Sequence, residues 1–432
     1  MIENVEEYLN TYFKGTKKPS LDAMQYFMKE YHYFEKNMKF IHIAGTNGKG
    51  SCTEMITNIL VKERYKVGKF LSPHLIEFKE RISINNCNIS EEALRNLIEE
   101  LEPKIESYQA TNNVKVTLFE LETIAALLYF YRNKVDFVVL ETGLGGSFDC
   151  TNVITKPLIS IITSIGNDHV QLLGNTLEEI AMQKAGIIKE NSNTVIFENS
   201  PEVNKVFIKT CKEKNNTLSI VRNKEIKKVE YDENYQYFDY KNLKRIAVNL
   251  KGVCQIHNSA VCIESMDVLN KLGYKVKEQS IREGLSTVVH RGRMEEIHKS
   301  PLIIYDGGHN EQAIRNLKMT IDRYYKNRNR IYVVSILRRK DYSKILELLM
   351  EEEQATFLLT TGNSKERYVT GEELYEVAKK YKKEGQKIEV RTLENAIEQV
   401  LENAPQDAVT FVVGSLYIYG DVVKLIKNST KD

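Results

Sequence analysis

Phe40-Ile-His-Ile-Ala-Gly-Thr-Asn-Gly-Lys-Gly-Ser51 is a short, mostly apolar run that drops straight into three glycines, one lysine and one hydroxyl. That order is the order of a strand, a phosphate loop and the start of a helix. Gly45, Gly48 and Gly50 permit positive φ and close backbone approach, so the N–H groups around Thr46, Asn47 and Gly48 can point at one anion. Lys49 adds a mobile positive charge for outer phosphates, and Ser51 offers a hydroxyl to magnesium at the helix N-terminus. The stretch therefore predicts binding of a nucleoside triphosphate. It departs from the general phosphate-loop pattern in being shorter between its glycines and in placing Gly50 between lysine and serine.

Outward from this loop the chain alternates. Ser51 to Tyr65 has helical spacing, Val67 to Leu71 is a short strand, and Val114 to Arg132 reads as one long helix. Asp136 to Glu141 and Leu158 to Ile165 are continuous apolar runs, as in strands buried on both faces of a parallel sheet. Ligands bind such sheets at the carboxyl ends of the strands, where Gly45 to Ser51, Ser72, Glu141 and His169 fall. Residues 198–251 are polar and rich in Lys and Tyr, and read as a small strand-rich part. A second alternation starts near Pro301, with strands from Leu302, Arg330, Thr356, Lys387 and Val409 and helices between them. The predicted class is α/β: a phosphate-loop ATPase domain with a mostly parallel sheet over 1–294, then a doubly wound, Rossmann-like domain over 295–432.

A chain of 432 residues is long for one core, which agrees with two domains. Lys plus Arg at 61 against Asp plus Glu at 59 leaves a net charge of +2, which argues against nucleic acid or a membrane surface as partner. The acidic start Met1-Ile-Glu-Asn-Val-Glu-Glu is unlike an export signal, and apolar runs such as Ile124 to Tyr131 are too short to span a bilayer. A cytoplasmic monomer acting on small molecules is expected. The six cysteines contain no CxxC pair, so reduced thiols are the default.

Several residues carry chemistry by type and place. Glu141 ends a strand before the flexible Thr142-Gly-Leu-Gly-Gly146, where a magnesium ligand is needed. His169 could sit nearby, as ligand or as a hydrogen-bonding loop histidine. Ser72-Pro-His74 ends another strand, and the loop from Leu75 to Asn85, with Phe78 and Arg81, either closes over a substrate or is a charged surface hairpin. Lys184 lies among apolar neighbours on a helix capped by Gly186, so it snorkels or is held for a purpose. Asn258 reads as a helix N-cap. Arg291 and Arg293 fall in the interdomain linker, and Asp306-Gly-Gly-His309-Asn310 ends the first strand of the second domain.

Taken in order, these segments resemble the folylpolyglutamate synthase and dihydrofolate synthase family, within the ATP-dependent Mur ligases. The likeness rests on Gly45 to Ser51, Ser72-Pro-His-Leu with Phe78-Lys-Glu-Arg-Ile82, and Glu141-Thr-Gly-Leu-Gly-Gly146 through Asp149-Cys-Thr-Asn152. It continues through Asp168-His169, Ile180 to Ile188, His257-Asn258, Gly292-Arg293, Asp306 to Asn310 and Gly414-Ser415-Leu-Tyr417. The resemblance implies ATP as cosubstrate, with Lys49 and the loop amides on its phosphates and Asn258, Arg293, Asp306 and His309 holding it from both domains. It implies two magnesium ions, one on Ser51 and Glu141 and one on Ser72, Glu141 and His169, and a carbamate on Lys184. On the substrate side it implies Phe78, Arg81, Phe119, Glu120, Asp149 and Ser415; for Phe119 and Glu120 the other reading is helix core and helix N-terminal charge. The implied reaction joins L-glutamate to a folate or dihydropteroate carboxylate through an acyl phosphate. The alternatives are a Mur-type ligase for a cell-wall precursor and a nucleotide switch. Ser147, Gln183, Gly308 and Arg339 depart from the family's usual residues, and Ser147 lies closest to the expected pterin.

Overall fold

The computed structural model describes residues 2, 4–12 and 20–429. An eight-stranded sheet holds β1 (Phe40–Ala44), β2 (Val67–Phe70), β3 (Ile82–Ile84), β4 (Cys87–Asn88), β5 (Phe137–Glu141), β6 (Ile159–Ile162), β7 (Asn193–Phe197) and β8 (Thr217–Val221). Their spatial order is β4-β3-β2-β5-β1-β6-β7-β8. The six strands from β2 to β8 run parallel, and β3 and β4 add an antiparallel edge. Strand alternation sends Ile41, Ile43, Val139 and Ile161 to one face, under the helices Lys49–Lys62 and Val253–Lys271. Phe40, Val138 and Leu140 face the other way, against Glu91–Asn112 and Leu118–Arg132. Burial on both faces is why these strands read as continuous apolar runs.

A small antiparallel meander of β9 (Ile226–Tyr231), β10 (Gln236–Tyr240) and β11 (Leu243–Val248) follows. Its Phe238, Tyr240, Ile246 and Val248 join the core around Val253–Lys271. The second sheet contains β12 (Glu295–Lys299), β13 (Leu302–Asp306), β14 (Asn329–Val334), β15 (Ala355–Thr360), β16 (Lys387–Arg391) and β17 (Ala408–Val413). The order is β12-β13-β17-β14-β15-β16, parallel except for β12. The helices Glu311–Tyr324, Tyr342–Leu349 and Gly371–Ala378 cover one face, and Leu393–Asn403 and Tyr419–Ser429 the other. No helix among the described residues is long and apolar enough to cross a membrane.

The fold corrects several expectations. The helix read from Val114 starts at Leu118, because Thr117 and Glu120 form a capping box that fixes its first turn. The 22-residue helix Glu91–Asn112 before it was not foreseen; Pro103 stands inside it and interrupts the pattern. Residues 198–251 are strand-rich only from Ile226, since Ser200 caps a helix with Pro201 in its first turn, and β8 belongs to the large sheet. The loop after Ser72 is neither free nor a simple hairpin. Glu80 accepts hydrogen bonds from the N–H groups of Leu75, Ile76 and Glu77, and the chain then enters β3 beside β2.

Candidate active site

β1 delivers the phosphate loop between the sheets. Gly48 has φ 88°, and a Cβ there would lie 2.5 Å from Asn258 Oδ1, so the turn admits only glycine. Thr46 N–H donates to Ser164 O at 2.8 Å and Thr46 Oγ1 to Gly166 O at 3.0 Å, which ties the loop to the end of β6. This tie also ends β6 at Ile162 rather than Ile165. Lys49 Nζ donates to Gly45 O at 3.1 Å, curled over the loop whose amides it accompanies. Ser51 Oγ lies 3.0 Å from His290 Nδ1.

Glu141 ends β5 in register with Ile43 of β1, so its carboxylate emerges beside the loop. It is buried, and Ser72 N–H reaches its Oε2 at 3.3 Å. Burial pushes its pKa up to about 7 against the opposing charges of Lys49 and Arg293. Lys184, near the end of Leu177–Ala185, is also buried and donates to Gly45 O at 2.9 Å. Burial, helped by the charge of Lys49, lowers its pKa to about 7, so the neutral amine is accessible near neutral pH. The snorkelling alternative is thereby excluded.

Asp168 and His169 follow β6. His169 has φ 51° and its pKa is lowered to about 4, chiefly by burial. Asp168 accepts from Lys340 Nζ at 2.6 Å, and the same ammonium lies 3.3 Å from His169 Nε2. Burial alone would raise the Asp168 carboxyl, but Lys340, His169 and His309 outweigh it and hold the group well below the usual carboxylate range. From the second sheet, Asp306 ends β13 and accepts from Gly308 N–H at 2.8 Å and Met294 N–H at 3.0 Å. His309 Nδ1–H donates to Gly307 O at 2.8 Å, and burial lowers its pKa to about 3. Asn258 is not an N-cap, because Gly252 caps that helix; an interior position lets Asn258 face Gly48.

The two halves meet across the loop. Asn47 and Asn310 exchange amide hydrogen bonds at 3.0 and 3.2 Å, and Asn47 also donates to Gln312 at 2.8 Å. Between the sheets lies a cavity of about 450 Å3 bordered by Asn47, Ser51, Asn258, Arg293, Asp306 and His309. One wall is the stacked pair Phe197 and His257, with ring centroids 4.4 Å apart. A more open groove of about 640 Å3, beside Asp22, Tyr26 and Tyr108, contains none of these groups.

The substrate-side residues divide. Arg81 donates to Glu122 Oε1 at 2.6 Å and His74 Nδ1 at 2.8 Å, with its guanidinium 5.5 Å from the buried Phe78 ring. Phe119 lies against the backbone of Gly143, where a Cβ would be 2.5 Å from the ring. Asp149 is buried and accepts from Leu144 N–H at 2.7 Å and Thr151 Oγ1 at 2.5 Å. Glu120 accepts from Thr117 N–H and Oγ1, both at 2.8 Å, which is its helix-capping role. Ser415 is buried in the second half, its Oγ 3.2 Å from Tyr368 Oη. None of Phe78, Arg81, Phe119, Glu120, Asp149 or Ser415 borders the cavity. Sequence reasoning missed Lys340, Gln312 and Glu122; only spatial neighbours across the fold give them meaning.

Residues 43–266 match the Mur ligase middle domain, and 292–416 match the Mur ligase, glutamate ligase domain. The chain is 32% identical to the dihydrofolate synthase/folylpolyglutamate synthase of Bacillus subtilis, over 98% of this chain and 99% of that one. It superposes on Mycobacterium tuberculosis folylpolyglutamate synthase, solved with ADP and AMPPCP, at a TM-score of 0.86 with 26% identity, covering 98% and 97% of the two chains. E. coli FolC in complex with DHPP and ADP gives 0.83 with 25% identity over 98% and 97%. With both Mur ligase domains matched and a relative 32% identical along nearly its whole length, the chain belongs to the folylpolyglutamate synthase/dihydrofolate synthase family of ATP-dependent Mur-type ligases.

Proposed function

We propose that this enzyme uses ATP to join L-glutamate to the carboxylate of a folate or dihydropteroate, with residues 1–294 carrying the nucleotide phosphates and 295–432 closing over them. The observation that carries this reading is the convergence of Lys49, Lys184 and Glu141 on one loop that also faces Arg293, Asp306 and His309 across the cavity. A carboxylate is a poor acylating agent. Attack on the γ-phosphate gives an acyl phosphate and ADP, and the amine of glutamate then displaces phosphate. Lys49, the loop amides and Arg293 offset the charge that spreads over the transferring group. Closure of the second sheet over the loop keeps water from the acyl phosphate.

Magnesium fits the residues present. Ser51 with Glu141, and Ser72 and Glu141 with His169, would hold it, because Glu141 is a buried carboxylate that accepts from the Ser72 N–H, and a buried carboxylate calls for a cation. Among the described residues no three His, Cys, Asp or Glu side chains form a cage. Bound there, magnesium supplies charge neutralisation at the phosphates. The Lys184 amine, its proton loosened by burial, is competent to take up carbon dioxide as a carbamate, an anion that would organise the same cations.

Incubation with ATP, glutamate and each acceptor separately, followed by mass analysis, tests the reaction. The expected product is the acceptor plus one glutamyl unit, with 18O from the acceptor carboxylate appearing in phosphate. Phosphate release that needs neither acceptor nor glutamate would overturn the assignment and favour a nucleotide switch.

A further inference from the structure

His42 lies in the middle of β1, fully buried, three residues before Gly45. Alternation puts it on the face of Phe40, not that of Ile41 and Ile43. Its Nε2 is 2.8 Å from Thr151 Oγ1. That hydroxyl has one proton and lies 2.5 Å from Asp149 Oδ1, a carboxylate oxygen that can only accept. The threonine proton therefore goes to Asp149, and the remaining contact requires a proton on His42 Nε2. A neutral ring protonated there has a bare Nδ1, and Nδ1 is a buried nitrogen with no hydrogen-bond partner among the described residues. Burial lowers the ring's pKa to about 3, which keeps it neutral.

The chain of contacts continues. Asp149 Oδ1 also accepts from Thr151 N–H at 3.0 Å, and Oδ2 accepts from Leu144 N–H at 2.7 Å. Leu144 follows Gly143, whose backbone touches the Phe119 ring. A central strand residue is thus linked, through one hydroxyl and one carboxylate, to the turn that supports Phe119. A buried orphan nitrogen is a cost that a plain aliphatic residue would avoid, so its presence calls for a reason.

We propose that His42 is a positioning residue for the acceptor: as an Nε2–H donor it sets Thr151, Thr151 sets Asp149, and Asp149 holds the Gly143–Leu144 turn against Phe119. This rests on the reading above that Phe119 and Asp149 face the folate-type acceptor.

The test uses the intact enzyme with acceptor and ATP varied separately. A glutamine amide reaches where Nε2 stands, whereas an asparagine amide reaches only where Nδ1 stands. His42→Gln is expected within about threefold of the parent, and His42→Asn, His42→Leu and Thr151→Val to raise the acceptor KM on the order of tenfold, with the ATP KM within about twofold. The His42→Leu/Thr151→Val pair should be no worse than either single change. Equal acceptor KM for His42→Gln and His42→Asn, or acceptor and ATP KM rising together, would overturn the proposal. Asp149→Asn separates it from the reading beneath it. If that change leaves the acceptor KM alone, the acceptor site is misassigned and the proposal goes with it; if it raises KM while His42→Leu does not, only the role of His42 fails. Should the leucine variant not fold, 15N NMR of the histidine-labelled parent decides, with an Nε2–H tautomer expected and an Nδ1–H tautomer refuting.

Discussion

Replacing Lys184 with methionine should make the protein more stable and less active together. In the fold its pKa falls from 10.5 to about 7, burial being the larger cause and Lys49 the smaller. In the unfolded chain a lysine keeps its proton to about pH 10.4. The unfolded state thus binds more protons between those values, so stability rises with pH across that window and the cost of burying Lys184 is greatest at pH 7 and below. A fall from 10.5 to about 7 corresponds to about 5 kcal/mol in acid and about 4 kcal/mol at pH 7, where the folded amine has already begun to lose its proton. Methionine has a similar length and no charge, and loses only the bond from Nζ to Gly45 O, worth about 1 kcal/mol. The variant should therefore gain about 3 kcal/mol at pH 7 in carbon dioxide-free buffer and lose that advantage by about pH 10.5. Urea melts at several pH values read this as a midpoint shift at constant slope. Ligation should fall by on the order of 100-fold or more if a carbamate stands in the site. A stability difference that is flat from pH 7 to 10 would refute the argument from burial. Full activity would remove the carbamate from the mechanism.

Gly48→Ala places a Cβ 2.5 Å from Asn258 Oδ1 at a φ of 88°. It should weaken ADP binding by roughly tenfold or more in calorimetric titration, since strain of about 1–2 kcal/mol falls on the anion-binding turn; unaltered affinity would show that the turn tolerates a side chain. Asp168→Asn leaves the buried Lys340 ammonium without its counter-charge and should cost about 3–5 kcal/mol in chemical denaturation, with Asp168→Asn/Lys340→Met recovering much of it. Because the folded Asp168 carboxyl lies below its unfolded value, the pair's contribution is complete above about pH 4 and lost as pH falls further, so parent and double variant should converge in acid. Parallel curves down to acid unfolding would contradict this.

What was legible in the chain followed from local chemistry. The turn at Gly45 to Ser51 declares itself because backbone freedom, a cation and a hydroxyl must lie adjacent in sequence to act on one phosphate. The second alternation was equally plain, and its helix Leu393–Asn403 falls where its spacing places it. The hidden parts depend on partners far away in sequence. Lys340 is an ordinary lysine until the fold brings it to Asp168, 172 residues earlier, and Glu122 is an ordinary helical glutamate until Arg81 reaches it. The helix Glu91–Asn112 was concealed for a different reason: tertiary packing of Leu94, Ile98 and Leu101 outweighs the break that Pro103 signals.

The reciprocal amide pair of Asn47 and Asn310 has a practical corollary. Each half presents one flat, uncharged amide plate to the other, and among the described residues no strand is shared between them. Because Asn47 also belongs to the phosphate loop and borders the cavity, a planar diamide slipped between those plates would wedge the molecule ajar and crowd the seat of ATP at the same time. Raising ATP should dislodge such a compound and raising glutamate or the acid should not, which ties the hinge between the halves to the nucleotide alone.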